Sequence, residues 1–407
     1  MLGFHREICD TINDRDDITF SSVAEKIGVS KQCMSKFKKD GTIGFRKLLR
    51  LSYYLFPDEQ REKMEKWCLQ LDSAESIQQS LEYAAITRNV KLLRQLIQIH
   101  RKSDGVIKDY INVYSIIYSY MQGKIKGVDL IKSLNKIGRV EDSTLNILVN
   151  IIKCYNYFAQ KKIHIMLEVA REASSMIEDL SDSRKLFIKE CFLHRLAEIL
   201  SPIFLHRNQL HLARKCASLI INANICAKTV ADASYYVGMT YLNEDNERCL
   251  KYLHNSYVIA KTIGVERFKV QARDRLDCVK IYLGIPLGAK SDTRLIEYQK
   301  DNTKGQLIDS IIEERGEKDF LLLYKARSYN SFSELYECFQ HFFSNSNFFF
   351  SSLVAREIYE RGDRSGLTKS LIDFKVNIEN EKGGIQFEED FVRSFCGFSS
   401  DSRVVCA

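Results

Sequence analysis

The chain of 407 residues is too long for one small module and long enough to bury a large core, so two or three domains are expected. Its 60 Lys and Arg exceed its 53 Asp and Glu by seven, 45% of its residues are apolar, and only Pro57, Pro202 and Pro286 would break a helix, a composition that predicts an almost all-helical protein. No apolar run reaches membrane-spanning length, no signal peptide opens the chain, and Cys406 stands too late for a prenylation box, which leads to the expectation of a cytoplasmic protein without membrane contact.

A leading helix is predicted from about Leu2 to Asn13. The stretch from Phe20 to Lys39, FSSVAEKIGVSKQCMSKFKK, then reads as a helix-turn-helix. Ser21 or Ser22 can cap a short helix that carries Val23, Ala24 and Ile27 inward, Gly28 supplies the left-handed residue that ends it, and Ser30 caps the next helix. That second helix presents Lys31, Gln32, Ser35, Lys36, Lys38 and Lys39 outward, where Gln and Ser can meet base edges and Lys can meet phosphate oxygens. Residues 20–50 hold eight Lys or Arg against Glu25 and Asp40, whereas residues 1–19 are net acidic, so the charge has the edge expected of a duplex-binding footprint. A plain helical hairpin with a polar outer face would share the apolar pattern but does not account for this concentration. A supporting helix from Ile43 to Leu55 and a further one from Pro57 to Leu71, with Pro57 in its first turn, complete a DNA-binding domain of residues 1–70.

Pairs of amphipathic helices follow to about residue 375, separated by short polar turns at Asn89, Gln122-Gly123, Asn208-Gln209 and Asn243 to Asn246. The segments LHRNQLHLARKCASLI at 205–220 and LNEDNERCLKYLHNSY at 242–257 repeat at a spacing of 37 residues, with Ala213 and Leu250 at equivalent inward positions. A period in the thirties with a helix, turn and helix in each unit is that of a tetratricopeptide-like solenoid, whose hairpins bury their apolar faces by stacking. Pro286 and its glycines interrupt the pattern, which divides the solenoid into a first block over 71–284 and a carboxyl-terminal block with dimerisation helices over 292–375. Residues 376–407 turn polar and read as an extension.

The search for chemistry returns no catalytic residue. Twelve cysteines include no CxxC pair or metal-ligand spacing and lie mostly in apolar helical surroundings, as Cys154, Cys191 and Cys249 do, so they read as reduced core thiols, with no metal and no cofactor expected. Gly284 to Ser291 has glycines and a lysine but neither the spacing nor the preceding strand of a phosphate loop, and no HExxH, nucleophile elbow or paired carboxylates stand in a recognisable setting. A binding protein is the better reading than an enzyme, since a curved helical stack offers a long concave face. Asn208, Asn222, Asn224, Asn243 and Asn246 could bond a peptide backbone there, although the positions at turns also suit plain caps. The phenylalanine-rich run at 341–362 reads as core, or as an aromatic floor for a groove.

A DNA-binding module ahead of a degenerate solenoid resembles the peptide-responsive regulators of the Rap, NprR and PlcR type, and most of all the phage arbitrium receptor family, AimR. The resemblance rests on Phe20 to Phe56, WCLQLDSAESIQQSLEYA at 67–84, FIKECFLHRL at 187–196, FLHRNQLHLARKCAS at 204–218 and VGMTYL at 237–242, and extends to about residue 374. It implies a homodimer on double-stranded operator DNA, a short secreted signalling peptide that occupies the solenoid, and a switch between lysis and lysogeny in which the peptide-free receptor activates transcription. It further implies a peptide pocket holding Lys228, Met239, Leu242, Asn347 and Phe349. Lys228 stands where relatives carry an arginine and Asn347 where they carry an aspartate, and Pro202, in place of an asparagine, cannot donate a hydrogen bond, so a different peptide is expected. The dimer contact is expected around Val354, Ile358, Leu367 and Leu371. The alternatives are an interaction scaffold or a partner-sequestering regulator of the Rap type.

Overall fold

The computed structural model describes residues 3–138, 140–180 and 185–374, and every regular element among them is a helix. The expected extension at 376–407 lies outside the described residues. The chain divides into two compact units, one running to Leu196 and the other beginning at Ala197.

The first unit opens with α1 (Gly3–Asn13), α2 (Phe20–Lys26), α3 (Lys31–Asp40), α4 (Phe45–Leu55) and α5 (Gln60–Cys68). Helices α2 and α3 form the expected helix-turn-helix, with Val23, Ala24, Ile27, Met34 and Phe37 buried between them and their neighbours. The cap of α2 is Thr19 rather than Ser21 or Ser22. Its side chain accepts from the Ser22 amide while the Ser22 hydroxyl takes the Thr19 amide, a reciprocal pair that a serine further along could not make. Gly28 is left-handed (φ 68°), and a Cβ there would also lie 3.2 Å from the Arg50 guanidinium, which donates to the Ile27 carbonyl. Ser30 caps α3 as expected, accepting from the Cys33 amide. Pro57 sits in a turn and α5 starts at Gln60, three residues later than the proline suggested.

Helices α6 (Ala74–Ile86), α7 (Val90–Ile99), α8 (Gly105–Met121), α9 (Val128–Asn135), α10 (Ser143–Ala159) and α11 (Ile163–Glu178) follow as antiparallel hairpins, and α12 (Leu186–His206) begins in this unit. Almost every residue of α6 from Ile77 onward is buried, because α5, α7 and α8 all pack on it. Residues 1–70 are fastened to these hairpins: Arg46 pairs with Glu190 at 2.7 Å, Phe45 packs on Phe187 and Tyr83, and the Asn89 amide donates to Glu65. Burial of Glu82 is balanced by Arg195, whose Nε donates to Oε1 at 2.7 Å, and by the Tyr114 hydroxyl, which donates to Oε2 at 2.6 Å.

The second unit contains the rest of α12 and then α13 (Leu210–Ala223), α14 (Ala227–Thr240), α15 (Asn246–Thr262), α16 (Glu266–Tyr282), α17 (Thr293–Lys300), α18 (Gly305–Arg315), α19 (Asp319–Ser328), α20 (Phe332–Ser344), α21 (Phe348–Glu360) and α22 (Gly366–Ile372). Consecutive helices pack from α13 to α16 and from α17 to α22, and α16 also packs on α19. Gly238 lets α14 lie close against α15, since a Cβ there would fall 2.1 Å from Leu253 Cδ1 and 3.1 Å from the Cys249 carbonyl. The repeat register is 36 residues rather than 37: Cys249 is fully buried as Ala213 is, and Leu250 is only half-buried, because α13 and α15 begin that far apart. The segment around Pro286 that divides the two blocks lies within this unit and is tied down. Gln299 receives the Leu287 amide and donates to the Ile285 carbonyl, while Arg273 donates to the Lys290 carbonyl.

Candidate functional site

On α3, Lys31, Gln32, Ser35, Lys36, Lys38 and Lys39 are all exposed, opposite the buried Met34 and Phe37. The helical period alone produces this separation. Lys38 leans over the Phe20 ring at 4.7 Å, and its carbonyl lies 3.2 Å from Nε2 of the buried His5, which fixes α1 against α3. Not all the charge counted around this helix is available, since Arg46 is paired with Glu190 and Arg50 with the Ile27 carbonyl. The lysines of α3 remain.

A cavity of about 620 Å³ opens inside the second unit. Helix α16 builds one wall, because Glu266, Arg267, Val270, Gln271, Asp274, Arg275 and Cys278 recur on one helical face. Tyr235 and Tyr236 of α14, Arg315 of α18, and Phe320 and Phe350 of α19 and α21 supply the other surfaces. Fixed charges organise the wall. Arg275 donates to Asp232 Oδ1 at 2.8 Å and stacks over the Tyr235 ring at 4.2 Å, and Lys228 takes Asp232 Oδ2 at 2.7 Å. Burial would raise the Asp232 pKa, but Arg275 and Lys228 outweigh it and hold the carboxyl below its ordinary value. Arg315 spans Asp274 at 3.1 Å and Asp292 at 2.6 Å. At Asp274 burial outweighs Arg315 and the pKa is raised, and burial pushes the Tyr236 hydroxyl up to about 12.

Toward the rim, Arg267 and Lys318 are exposed cations and Glu317 an exposed anion, and none of the three has an ion-pair partner among the described residues. The cavity therefore combines an aromatic interior, a half-buried amide in Gln271 and uncommitted charge of both signs. Such a lining suits a short guest with polar ends and an apolar middle.

Of the residues expected around a peptide, Lys228 lies in a small recess beside the cavity that shares Gln271 and Arg275 with it. Met239, Leu242 and Phe349 are buried in helix packing, and Asn347 caps α21 by accepting from the Phe350 amide; none of these four lines the cavity. Pro202 is buried within α12, and Asn224 ends α13 in the left-handed conformation. Val354 and Ile358 are buried as well, whereas Leu367 is 71% exposed. The wall on α16 carried a signal that sequence reading passed over: Arg267, Gln271 and Arg275 recur every four residues, as do Glu266, Val270 and Asp274. No described helix is long and apolar enough to cross a membrane.

A helix-turn-helix ahead of stacked helical hairpins, with a charged cavity among the later ones, defines an all-helical repeat protein of modular plan. The profile of the AimR transcriptional regulator-like family matches residues 60–360, and the chain belongs to that family. The matched stretch begins after α4, so it does not include the helix-turn-helix. Among solved structures, the selenomethionine form of phAimR is similar over 90% of this chain and 99% of its own at 19% identity, with a TM-score of 0.67. A ligand-bound phAimR structure is similar over 79% of this chain and 98% of its own, also at 19% identity, with a TM-score of 0.63. At that identity the likeness extends to the fold. Comparison with curated proteins yields no match.

Proposed function

We propose that the chain is a DNA-binding transcriptional regulator gated by a short secreted signalling peptide, acting as a homodimer in the bacterial host cytoplasm and controlling a phage lysis-lysogeny decision. The observation that carries this reading is the cavity on α16, whose paired arginines, aromatic interior and uncommitted rim charges offer a peptide both backbone partners and places for charged ends. Family membership and the ligand-bound relative support it. In this reading Lys228 and Arg275 face one part of the peptide and Arg315 another, while Met239, Leu242, Asn347 and Phe349 act from behind by fixing the helices that shape the pocket. The lysines of α3, Lys31, Lys36, Lys38 and Lys39, hold operator phosphates, and Gln32 and Ser35 read bases. The exposed Leu367 belongs to the dimer contact. Peptide binding then shifts the population between solenoid shapes that differ in the spacing of the two recognition helices, and the peptide-free dimer is the activating form.

The test is titration of the purified protein onto DNA from its downstream intergenic region, with and without the peptide encoded by an adjacent small reading frame. Operator binding that the peptide abolishes, and that Arg275→Ala renders indifferent to the peptide, supports both modules and the switch. Binding that never responds to the peptide leaves a DNA-bound scaffold and rejects the gate.

A further inference from the structure

The first unit carries a second excess of positive charge, larger in net count though more spread out than the one around α3, and it belongs to no site described above. Residues 87–162 hold fourteen Lys or Arg against five Asp or Glu, compared with eight against two over residues 20–50. Successive helices of α6–α7, α8–α9 and α10–α11 alternate in direction, and α6 packs on α8 and α8 on α10, so the three hairpins point the same way and their turns fall along one edge of the stack. Each turn is basic: Arg88 and Lys91 flank the first, Lys124 and Lys126 stand in the second, and Lys161 and Lys162 in the third. The five lysines are exposed, and none makes an ion pair or hydrogen bond through its side chain among the described residues.

The backbone adds an independent observation. Each turn places at least one residue at positive φ: Arg88 (φ 58°) in the first, Gly123 (φ 72°) and Gly127 (φ 59°) in the second, and Lys161 (φ 59°) in the third. The other non-glycine residues of positive φ among the described residues are Asn208, Asn224, Asn330 and Ser346, short polar side chains, three of them the asparagine that tolerates this conformation best. Lys161 instead keeps a long, exposed cationic side chain where glycine or asparagine would relax the chain. Strain retained at an exposed turn points to a use for the charge.

We propose that this turn edge is a second, sequence-independent surface for duplex DNA, holding phosphates beyond those reached by α3. The inference rests on the reading of the chain as a DNA-binding protein. Lysines are compact point charges suited to phosphate, and their repetition from turn to turn extends the contact along a backbone. An anionic membrane is the weaker match, because the exposed large apolar residues of this stretch are Ile99, Val106, Val128 and Ile165, without the Trp or Tyr that anchors at a lipid interface.

The experiment follows the fluorescence anisotropy of the full chain on the intergenic duplex and on a scrambled duplex of equal length across a range of salt. In the variant Lys124→Gln/Lys126→Gln/Lys161→Gln/Lys162→Gln, the slope of log K against log salt becomes shallower by about 3 on both duplexes, and affinity at moderate salt falls about tenfold or more. Lys161→Asn alone raises Tm and weakens binding, whereas a merely solvated lysine would give the first effect without the second. An unchanged slope in the quadruple variant overturns the proposal. So does binding to phosphatidylserine vesicles that the variant loses while its DNA binding stays intact. Lys36→Ala, measured in parallel, separates the two readings: if it has no effect while the quadruple variant flattens the slope, the recognition helix is misassigned and the edge stands alone. The reverse pattern keeps α3 and rejects the edge.

Discussion

Each unit contains an arginine–carboxylate cluster, and the two differ in what surrounds them. Glu82 and Arg195 are fully enclosed, with Tyr114 completing the carboxylate and the Tyr155 hydroxyl donating to the Arg195 carbonyl. Burial would lower the Arg195 pKa, but Glu82 outweighs it and raises it, so the guanidinium stays charged in the dry interior. In the second unit, Asp232 joins Arg275 and Lys228 with all three side chains partly open, in the recess beside the cavity whose wall Arg275 also lines. A closed cluster can only specify how α6, α8 and α12 pack, since its donors and acceptors are already matched. An open one can exchange partners with a guest. The same chemistry is therefore closed to a guest in one place and open to one in the other, according to solvent access.

Breaking the closed cluster has the largest expected effect. Glu82→Ala leaves Arg195 buried and uncompensated, and urea unfolding at neutral pH should register a loss of about 3 to 5 kcal/mol. Replacing both partners sharpens the contrast: Glu82→Leu with Arg195→Met should recover most of that loss, because a packed apolar pair needs no compensation. If the double variant is as unstable as the single one, the cluster is more than a packing device. In the open cluster, Asp232→Asn should cost about 1 to 2 kcal/mol, between the values for exposed and buried pairs. Because the folded Asp232 pKa is depressed, its contribution is present above the ordinary carboxylate pKa of 3.8 and is lost as pH falls through the lower folded value. The stability curves of Asp232→Asn and the parent should accordingly converge in acid.

The smallest effect is expected at Asp277, buried beside the cavity on α16, where Oδ2 has no hydrogen-bond partner. Burial raises its pKa despite the Ser291 hydroxyl, so ionisation works against folding above 3.8 and the penalty is complete once pH exceeds the raised folded value. Asp277→Asn should raise Tm at neutral pH, with the gain vanishing below the ordinary carboxylate range. A gain that persists in acid would mean that packing, not charge, limits this position.

Much of the first seventy residues was legible because their determinants are local. Gly28 is left-handed, Ser30 caps α3 and the α3 lysines are exposed as the spacing demanded. The misses there were equally local: Thr19 displaced the two serines through a reciprocal cap, and Pro57 sat outside the helix it was expected to start. In the second unit the 3.6-residue period announced amphipathic helices but not which apolar stripe faced a core and which a cavity. Met239, Leu242 and Phe349 could not be separated from cavity residues on pattern alone, since burial against a neighbour and exposure to a ligand select the same side chains.

The sequence by itself determined the helices, most of their caps, the left-handed Gly28 and the concentration of lysine on α3, because each depends on residues within a few positions of one another. Only the tertiary structure decided where the cavity lies, since its surfaces come from α14, α16, α18, α19 and α21, and no local pattern records which of these helices approach. It also decided which charges remain available. Arg46 is paired with Glu190, 144 residues away, and Arg195 with Glu82 across 113, whereas Arg267 and Lys318 keep theirs at the rim. Charge can be counted along a chain, but whether it is neutralised depends on the approach of distant partners in a low-dielectric interior, which only folding brings about.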